Sequence, residues 1–145
     1  MKDILLSIEG IQYTPEEEQN EIVLMTQGTL RCEKDKLTLA YEESETTGME
    51  GTSTQVIVED GRVTLSREGS VTTHMVFEQG RKHVSLYQTA HGAITVGVFA
   101  SAVRTSFEKD SGNILVDYAL DVDNAQVSHN IFKIQYRSSE VENLQ

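Results

Sequence analysis

The sequence has no tryptophan, one proline and one cysteine among its 145 residues. The single cysteine, Cys32, cannot form an internal disulfide, which excludes the disulfide scaffolds of small secreted proteins. Long apolar runs are also missing. The run Ile4–Leu6 is broken at Ser7 and Glu9, too early for a signal peptide or a membrane span. These features predict a cytoplasmic protein.

Positive charge is scarce: 12 lysines and arginines face 23 acidic residues, which gives a formal net charge of −11. Nucleic acids and anionic membrane surfaces are therefore excluded as partners, because both need clustered basic residues. A hydrophobic content of 38% is too high for a disordered chain. The length predicts one domain, placed at residues 1–137, with a polar and frayed tail at 138–145.

Alternating apolar and polar residues, interrupted by turn signals, predict an all-β protein. The pair Asp60-Gly61 is typical of a tight hairpin, and Gly97 within a long strand predicts a bulge or bend. Ten strands are predicted, at Asp3–Tyr13, Glu21–Glu33, Leu37–Glu42, Thr52–Glu59, Arg62–Arg67, Val71–Glu78, Lys82–Thr89, Ala93–Phe107, Ile114–Val122 and Asn130–Arg137.

Short connections between these strands favour an antiparallel up-and-down meander that closes into a barrel of about eight to ten strands. A two-sheet sandwich is the alternative. The barrel is favoured because the hairpins are short and no long crossover is visible.

Several polar side chains fall in phase with the apolar face of their strands. They are Tyr41, Tyr118, Tyr136 and Arg67, and Met75 lies on the same face of the sixth strand. Barrels of this size can enclose one small ligand, which polar groups among apolar walls would orient. These five residues, together with Glu43 just after the third strand, are the predicted ligand-binding set.

Arg67 has two interpretations, because a guanidinium in a core must be paired. It could bind a carboxylate or phosphate of a ligand in a bidentate manner. It could instead form an internal salt bridge to Glu43, Glu45 or Glu50, or reach water at the strand end.

The polar segment from Glu42 to Gly51 is the longest connection between predicted strands. It is either a solvated acidic connector or a functional loop at the mouth of the barrel. Its predicted mouth residues are Glu43, Ser44, Thr47, Gly48, Glu50 and Gly51.

No metal, cofactor or catalytic motif is recognisable. Phosphate-binding, dinucleotide-binding and nucleophile-elbow patterns are absent, and the histidines lack metal-ligand spacing. His83 alternates with other polar residues and is predicted to point outward, whereas Cys32 is predicted on a core face. The four histidines are His74, His83, His91 and His129.

Five short segments carry a resemblance to a known family. They are Tyr41-Glu42-Glu43-Ser44, Thr47–Thr52, Arg67-Glu68-Gly69, Met75–Glu78, and Tyr87-Gln88-Thr89 followed by Gly92. Over residues 2–137 the chain resembles the YwiB-like family of small bacterial calycin-type β-barrels. The resemblance implies a lipocalin-like barrel in a cytosolic bacterial protein, and it implies no activity. The chain lacks the Gly-x-Trp lipocalin signature, and Thr14–Asn20 is too short for the two-helix lid of fatty-acid-binding proteins.

Three functions are compatible with this sequence. The first is a barrel that binds a small polar or anionic molecule, with Arg67 as its anchor. The second is an interaction module or homodimer that uses an apolar outer patch of Leu5, Ile11, Val23 and Met25. The third is an enzyme in which Glu43 acts with His83 or Tyr118, provided that folding brings them within hydrogen-bond reach.

Overall fold

A computed structural model describes residues 2–16, 19–44, 50–69, 72–89 and 92–139. Within these residues, ten antiparallel strands form a single sheet that curls into a nearly closed barrel. The strands are β1 (Lys2–Tyr13), β2 (Gln19–Glu33), β3 (Lys36–Glu42), β4 (Thr52–Glu59), β5 (Arg62–Gly69), β6 (Thr73–Glu78), β7 (Lys82–Thr89), β8 (Gly92–Phe107), β9 (Ser111–Val122) and β10 (Ala125–Ser138). The predicted all-β up-and-down barrel is confirmed.

The strand order is β6-β5-β4-β3-β2-β1-β10-β9-β8-β7. All sequence neighbours except β6 and β7 therefore pair with each other, and β1 pairs with β10. The first and last strands are thus adjacent, while β6 and β7 end the order. Gln79 bridges to Ala100, and the N–H of Gly80 donates to the Ala100 carbonyl at 2.8 Å. These contacts attach the end of β6 to β8.

The core fills the inner face of the sheet. Among its fully buried side chains are Ile4, Leu39, Val56, Phe77 and Ile134, which come from five different strands. Along each of these strands, buried residues alternate with more exposed ones, as the period of two residues in a strand requires. One continuous apolar cluster therefore joins both halves of the meander.

The Asp60-Gly61 turn forms as predicted. Both residues have positive φ values, 50° at Asp60 and 74° at Gly61, which a tight hairpin of this type requires. Strands β4 and β5 leave this turn in register, with Glu59 opposite Arg62.

Gly97 is not the bulge of β8. The register is continuous through Gly97, which lies opposite Val84 and Asp121, and shifts instead between Ala100 and Ala102. A Cβ at position 97 would lie 2.5 Å from Oδ1 of Asp121. The glycine therefore makes room for the ion pair between Lys82 and Asp121, whose N–O distance is 2.7 Å.

The predicted burial of Cys32 and the predicted outward face of His83 are wrong. Cys32 is exposed, because the core contacts the middle of β2, at Leu24 and Leu30, and not its end. His83 lies opposite buried Val98, whereas the next residue, Val84, is 58% exposed. The polar residue is thus on the inner side of this edge strand, where His83 Nε2 lies 3.2 Å from Oε1 of Glu78.

Strand β10 extends one residue beyond the predicted end of the domain. Ser138 is buried, and its N–H donates to the Asp110 carbonyl at 2.7 Å. Residues 140–145 of the predicted tail lie outside the described residues. Within the described part of the chain, no helix is long and apolar enough to cross a membrane.

Candidate ligand site at one end of the barrel

Register brings three polar side chains together on the inner face. Tyr41 of β3 lies opposite Thr54 of β4, which lies opposite Arg67 of β5. Directly opposed residues of neighbouring strands have Cβ atoms about 5 Å apart, so the three side chains are neighbours. Tyr41 and Thr54 are both buried.

Glu43 joins this row from the residue that follows β3 by one position. Its N–H donates to the Thr52 carbonyl at 2.9 Å, which continues the β3–β4 ladder and holds the residue in phase with Tyr41. The Thr54 hydroxyl donates to Oε2 of Glu43, and Nε of Arg67 lies 3.5 Å from the same oxygen. The Glu43 side chain is 1% exposed and the Arg67 side chain is 20% exposed.

Two atoms of this ion pair lack a hydrogen-bond partner in the described structure. They are the second carboxylate oxygen of Glu43, Oε1, and Nε of Arg67, whose contact with Glu43 lacks hydrogen-bond geometry. A buried polar atom without a partner costs free energy, about 1–3 kcal/mol and more for a charged group. This pair is therefore an incompletely satisfied polar site.

Burial keeps the neighbouring tyrosines protonated. It raises the pKa of Tyr41 well above the ordinary value, and the negative charge of Glu43 raises that pKa further, while Arg67 opposes both effects. Burial also raises the pKa of Tyr118, and Arg67 again lowers it. Both hydroxyls consequently stay neutral up to a higher pH than that of an ordinary tyrosine.

A cavity of about 300 Å³ lies against this cluster. Its polar lining includes Tyr41, Glu43, Arg67, Tyr118 and Asn130. Its remaining lining residues come mainly from β1 and β10 and are Ile8, Glu9, Gly10, Ile11, Gln12, Asn20, Ile22, Leu65, Ile131, Phe132 and Ile134.

Asn130 and Tyr118 form the opposite wall. They face each other in the β9–β10 register, and the Asn130 amide donates to Oγ of Ser128 at 2.9 Å. The ring of Tyr118 packs against those of Phe77 and Phe132, with centroids 4.7 Å and 6.2 Å away. Tyr118 and Phe132, whose rings meet edge to face, thus give the cavity an aromatic wall beside its polar one.

The structure brings four of the six predicted ligand-binding residues to this cavity: Tyr41, Glu43, Arg67 and Tyr118. Met75 lies opposite Leu65 and packs against the core beside the cavity. Tyr136 lies six positions along β10 from Asn130, about 20 Å away. Its ring stacks near Phe107, with centroids 6.3 Å apart, at the other end of the barrel.

The predicted mouth loop is described only in part. Glu43 lines the cavity, and Ser44, Glu50 and Gly51 lie close to it in sequence. Thr47 and Gly48 lie outside the described residues.

Two functional candidates escaped the sequence analysis, Thr54 and Asn130. Thr54 alternates with Val56 and Val58, and Asn130 alternates with Phe132 and Ile134. At both positions, the available signal was a polar residue on the face of the strand that otherwise carries apolar residues.

None of the described histidines lines the cavity. His83 contacts Glu78, His129 contacts Asp117, and His91 lies outside the described residues. His83 is not among the cavity residues, so of the two predicted acid–base partners of Glu43 only Tyr118 shares its cavity. No cluster of three metal-ligating side chains occurs in the described part of the chain.

Comparison with known proteins supports the same fold. The crystal structure of the ywiB protein from Bacillus subtilis matches with a TM-score of 0.81 and 20% sequence identity, over 95% of this chain and 92% of that one. No curated protein matches the sequence. The family model described as a domain of unknown function, DUF1934, matches residues 6–134. The chain therefore belongs to the DUF1934 family, which is the YwiB-like family that its sequence resembles.

Proposed function

We propose that the barrel binds a small polar molecule, neutral or anionic, in the cavity beside Tyr41, Glu43 and Arg67. The observation that carries this proposal is the buried oxygen Oε1 of Glu43, which has no hydrogen-bond partner among the described residues and lies beside an incompletely satisfied guanidinium. A ligand that hydrogen-bonds both groups would offset the free-energy cost of burying them without partners.

The size and the lining of the cavity support this proposal. A volume of about 300 Å³ lies at the lower end of the range of ligand pockets, roughly 300–1,000 Å³. An apolar surface with a few convergent polar groups is typical of sites that fix the orientation of a small ligand. Arg67 and the aromatic cluster lie on strands, and Glu43 directly follows β3; strands hold a site more precisely than loops do.

Mass spectrometry tests the proposal. The protein is purified from cells of its own type, and its spectra are recorded under native and denaturing conditions. We expect a mass excess in the native spectrum only, and we expect Arg67→Gln to remove it. Arg62→Gln is the matched control, because Arg62 lies on the same strand opposite Glu59 and does not line the cavity.

Equal native and denatured masses would point to an empty barrel. A thermal-shift screen of polar metabolites on the same sample would then decide the question. Absence of any stabilising compound would contradict the proposal, since a bound ligand raises the unfolding temperature by mass action.

We place this binding protein in the cytoplasm. Cys32 is an exposed free thiol, and such a group persists most readily in a reducing compartment. Fractionation of the source cells, followed by detection of the protein, tests this location.

A homodimer is a second candidate, favoured by the outer face of β2. Met25 is 77% exposed and Val23 is half-exposed on that face. A groove of about 500 Å³, lined by Leu5, Met25 and their neighbours on β1 and β10, lies beside them. Light scattering would show a dimer that Met25→Glu dissociates, whereas Gln55→Glu on the outer face of β4 leaves it intact. A monomer at every concentration would contradict this candidate.

A further inference from the structure

The charge balance of the cavity limits what it can bind. Arg67 is the only basic residue among the lining residues given above, and Glu43 and Glu9 are the acidic ones. The positive charge of Arg67 already faces the carboxylate of Glu43, with 3.5 Å between Nε and Oε2. An anionic ligand placed on Arg67 would therefore also meet a buried negative charge.

Repulsion of this kind is strong in a desolvated site. Like charges brought together within a protein disfavour binding when no further cation compensates them. The overall charge of −11 adds a long-range field of the same sign. Both effects work against a carboxylate or a phosphate ligand.

The two atoms without hydrogen-bond partners require a ligand with other groups than a carboxylate or a phosphate. Glu43 Oε1 can only accept a hydrogen bond, and Arg67 Nε can only donate one. A ligand that satisfies both atoms must offer a donor and an acceptor next to each other. A planar body can stack on the ring face of Tyr118 or of Phe132, which both line the cavity.

We infer that the ligand is an uncharged molecule whose recognised edge is an amide or a lactam, carried on a planar apolar or aromatic body. Its N–H donates to Oε1 of Glu43 and its carbonyl accepts from the guanidinium of Arg67. The hydroxyl of Tyr118 and the amide of Asn130 contact the opposite side. This inference rests on the proposed binding function and narrows its ligand class.

Benzamide and benzoate test the inference, because they have nearly the same shape and differ in charge and in the presence of a donor. Each is titrated into the isotope-labelled wild-type protein, and binding is followed by amide chemical shifts. We expect benzamide to shift resonances of the Tyr41, Glu43 and Arg67 region at millimolar concentration. We expect benzoate to bind about tenfold more weakly, since it has no donor for Glu43 and bears a like charge.

Neutralising Glu43 should reverse this preference. In Glu43→Gln, the amide can still accept from Thr54, and Arg67 loses its counter-charge. We expect benzoate to bind this variant about tenfold better than the wild type does, because its charge now meets an unpaired guanidinium. The complementary variant Arg67→Gln should instead favour the benzamidinium cation, so either variant suffices if the other does not fold.

Three results would overturn the inference. Benzoate that binds the wild type as tightly as benzamide would contradict the ligand class and leave the proposed binding function intact. A preference unchanged by either folded variant would place the probes elsewhere and contradict the roles of Glu43 and Arg67. If neither benzamide nor benzoate shifts the cavity resonances at tens of millimolar, the inference fails, and the native mass spectra and the thermal-shift screen alone decide the proposed function.

Discussion

Glu43 and Arg67 lie 24 positions apart in the sequence, yet Nε of Arg67 is 3.5 Å from Oε2 of Glu43 inside the barrel. The register of β3, β4 and β5 produces this approach, because it aligns Tyr41, Thr54 and Arg67 in one row. The internal salt bridge to Glu43, one of the two interpretations of Arg67, is thus present. It does not exclude the other role, because Oε1 of Glu43 has no hydrogen-bond partner in the described structure.

Removing the positive charge from this pair should destabilise the protein. In Arg67→Met, the carboxylate of Glu43 remains buried without a cation, which we expect to lower the free energy of unfolding by roughly 3 kcal/mol. Urea unfolding measures the loss. The double variant Glu43→Gln/Arg67→Met should recover most of it, since a neutral amide replaces the isolated charge and can still accept from Thr54. Simple additivity of the two single changes would contradict this account.

Alkaline pH should destabilise the protein through Tyr41. The unfolded chain loses a tyrosine proton near pH 10. Because burial and Glu43 raise the pKa of Tyr41 above that value, the native state binds more protons than the unfolded state above pH 10. The free energy of unfolding therefore falls as the pH rises, by up to about 1.4 kcal/mol per pH unit for this residue. Below pH 10 this contribution is fully present.

Tyr41→Phe isolates the effect. Urea unfolding is measured at several pH values from 9 to 11. The free energy of unfolding should fall less steeply with pH for Tyr41→Phe than for the wild type, and the slopes should differ by up to the value for one bound proton. Tyr13→Phe serves as the matched control, because Tyr13 is partly exposed near the end of the barrel. Equal slopes for Tyr41→Phe and the wild type would show that Tyr41 ionises normally in the native state.

Alternation in the sequence was enough to predict the all-β class and the polar residues in phase with the core. Tyr41, Tyr118 and Arg67 could be placed on inner faces because a strand has period two. The same argument could not choose among Glu43, Glu45 and Glu50 as the partner of Arg67. That choice depends on the hydrogen bond that extends the β3–β4 ladder from Thr52 to Glu43, which is a tertiary feature.

The failures have a common physical cause. Alternation gives the phase of a strand but not the extent of the core or the solvated side of an edge strand. Cys32 is in phase with Leu30 and yet exposed, because β2 extends past the core. Tyr136 is in phase with Ile134 and buried, but it lies too far along β10 to reach the cavity. Distance along a strand separates the ends of a barrel, and phase alone does not report it.

The aromatic wall of the cavity should contribute strongly to stability. Phe77 is fully buried, and its ring lies 4.7 Å from that of Tyr118 and 5.3 Å from that of Phe132. We expect Phe77→Ala to cost about 3–5 kcal/mol, because it removes these contacts and leaves a void. Thermal or urea unfolding measures the change. Phe99→Ala is the control, since Phe99 is 41% exposed and should cost much less. Equal losses would contradict the packing described for Phe77.

A close approach of backbones at Gly28 should make that position intolerant of any side chain. A Cβ there would lie 2.4 Å from the Ala40 carbonyl oxygen and 2.7 Å from Cδ1 of Leu6, so β2 and β3 would have to separate. We expect Gly28→Ala to lower the free energy of unfolding by about 1–3 kcal/mol, the usual cost of overpacking.

Gly10→Ala on the adjacent strand is the matched control, because nothing lies within 4 Å of its Cβ position. In a strand, that change should be neutral or slightly stabilising, since alanine restricts the unfolded chain more than glycine does. Similar unfolding midpoints for the two variants would refute the proposed strand contact, whereas a loss confined to Gly28→Ala would place the β2–β3 backbones as close together as the barrel requires.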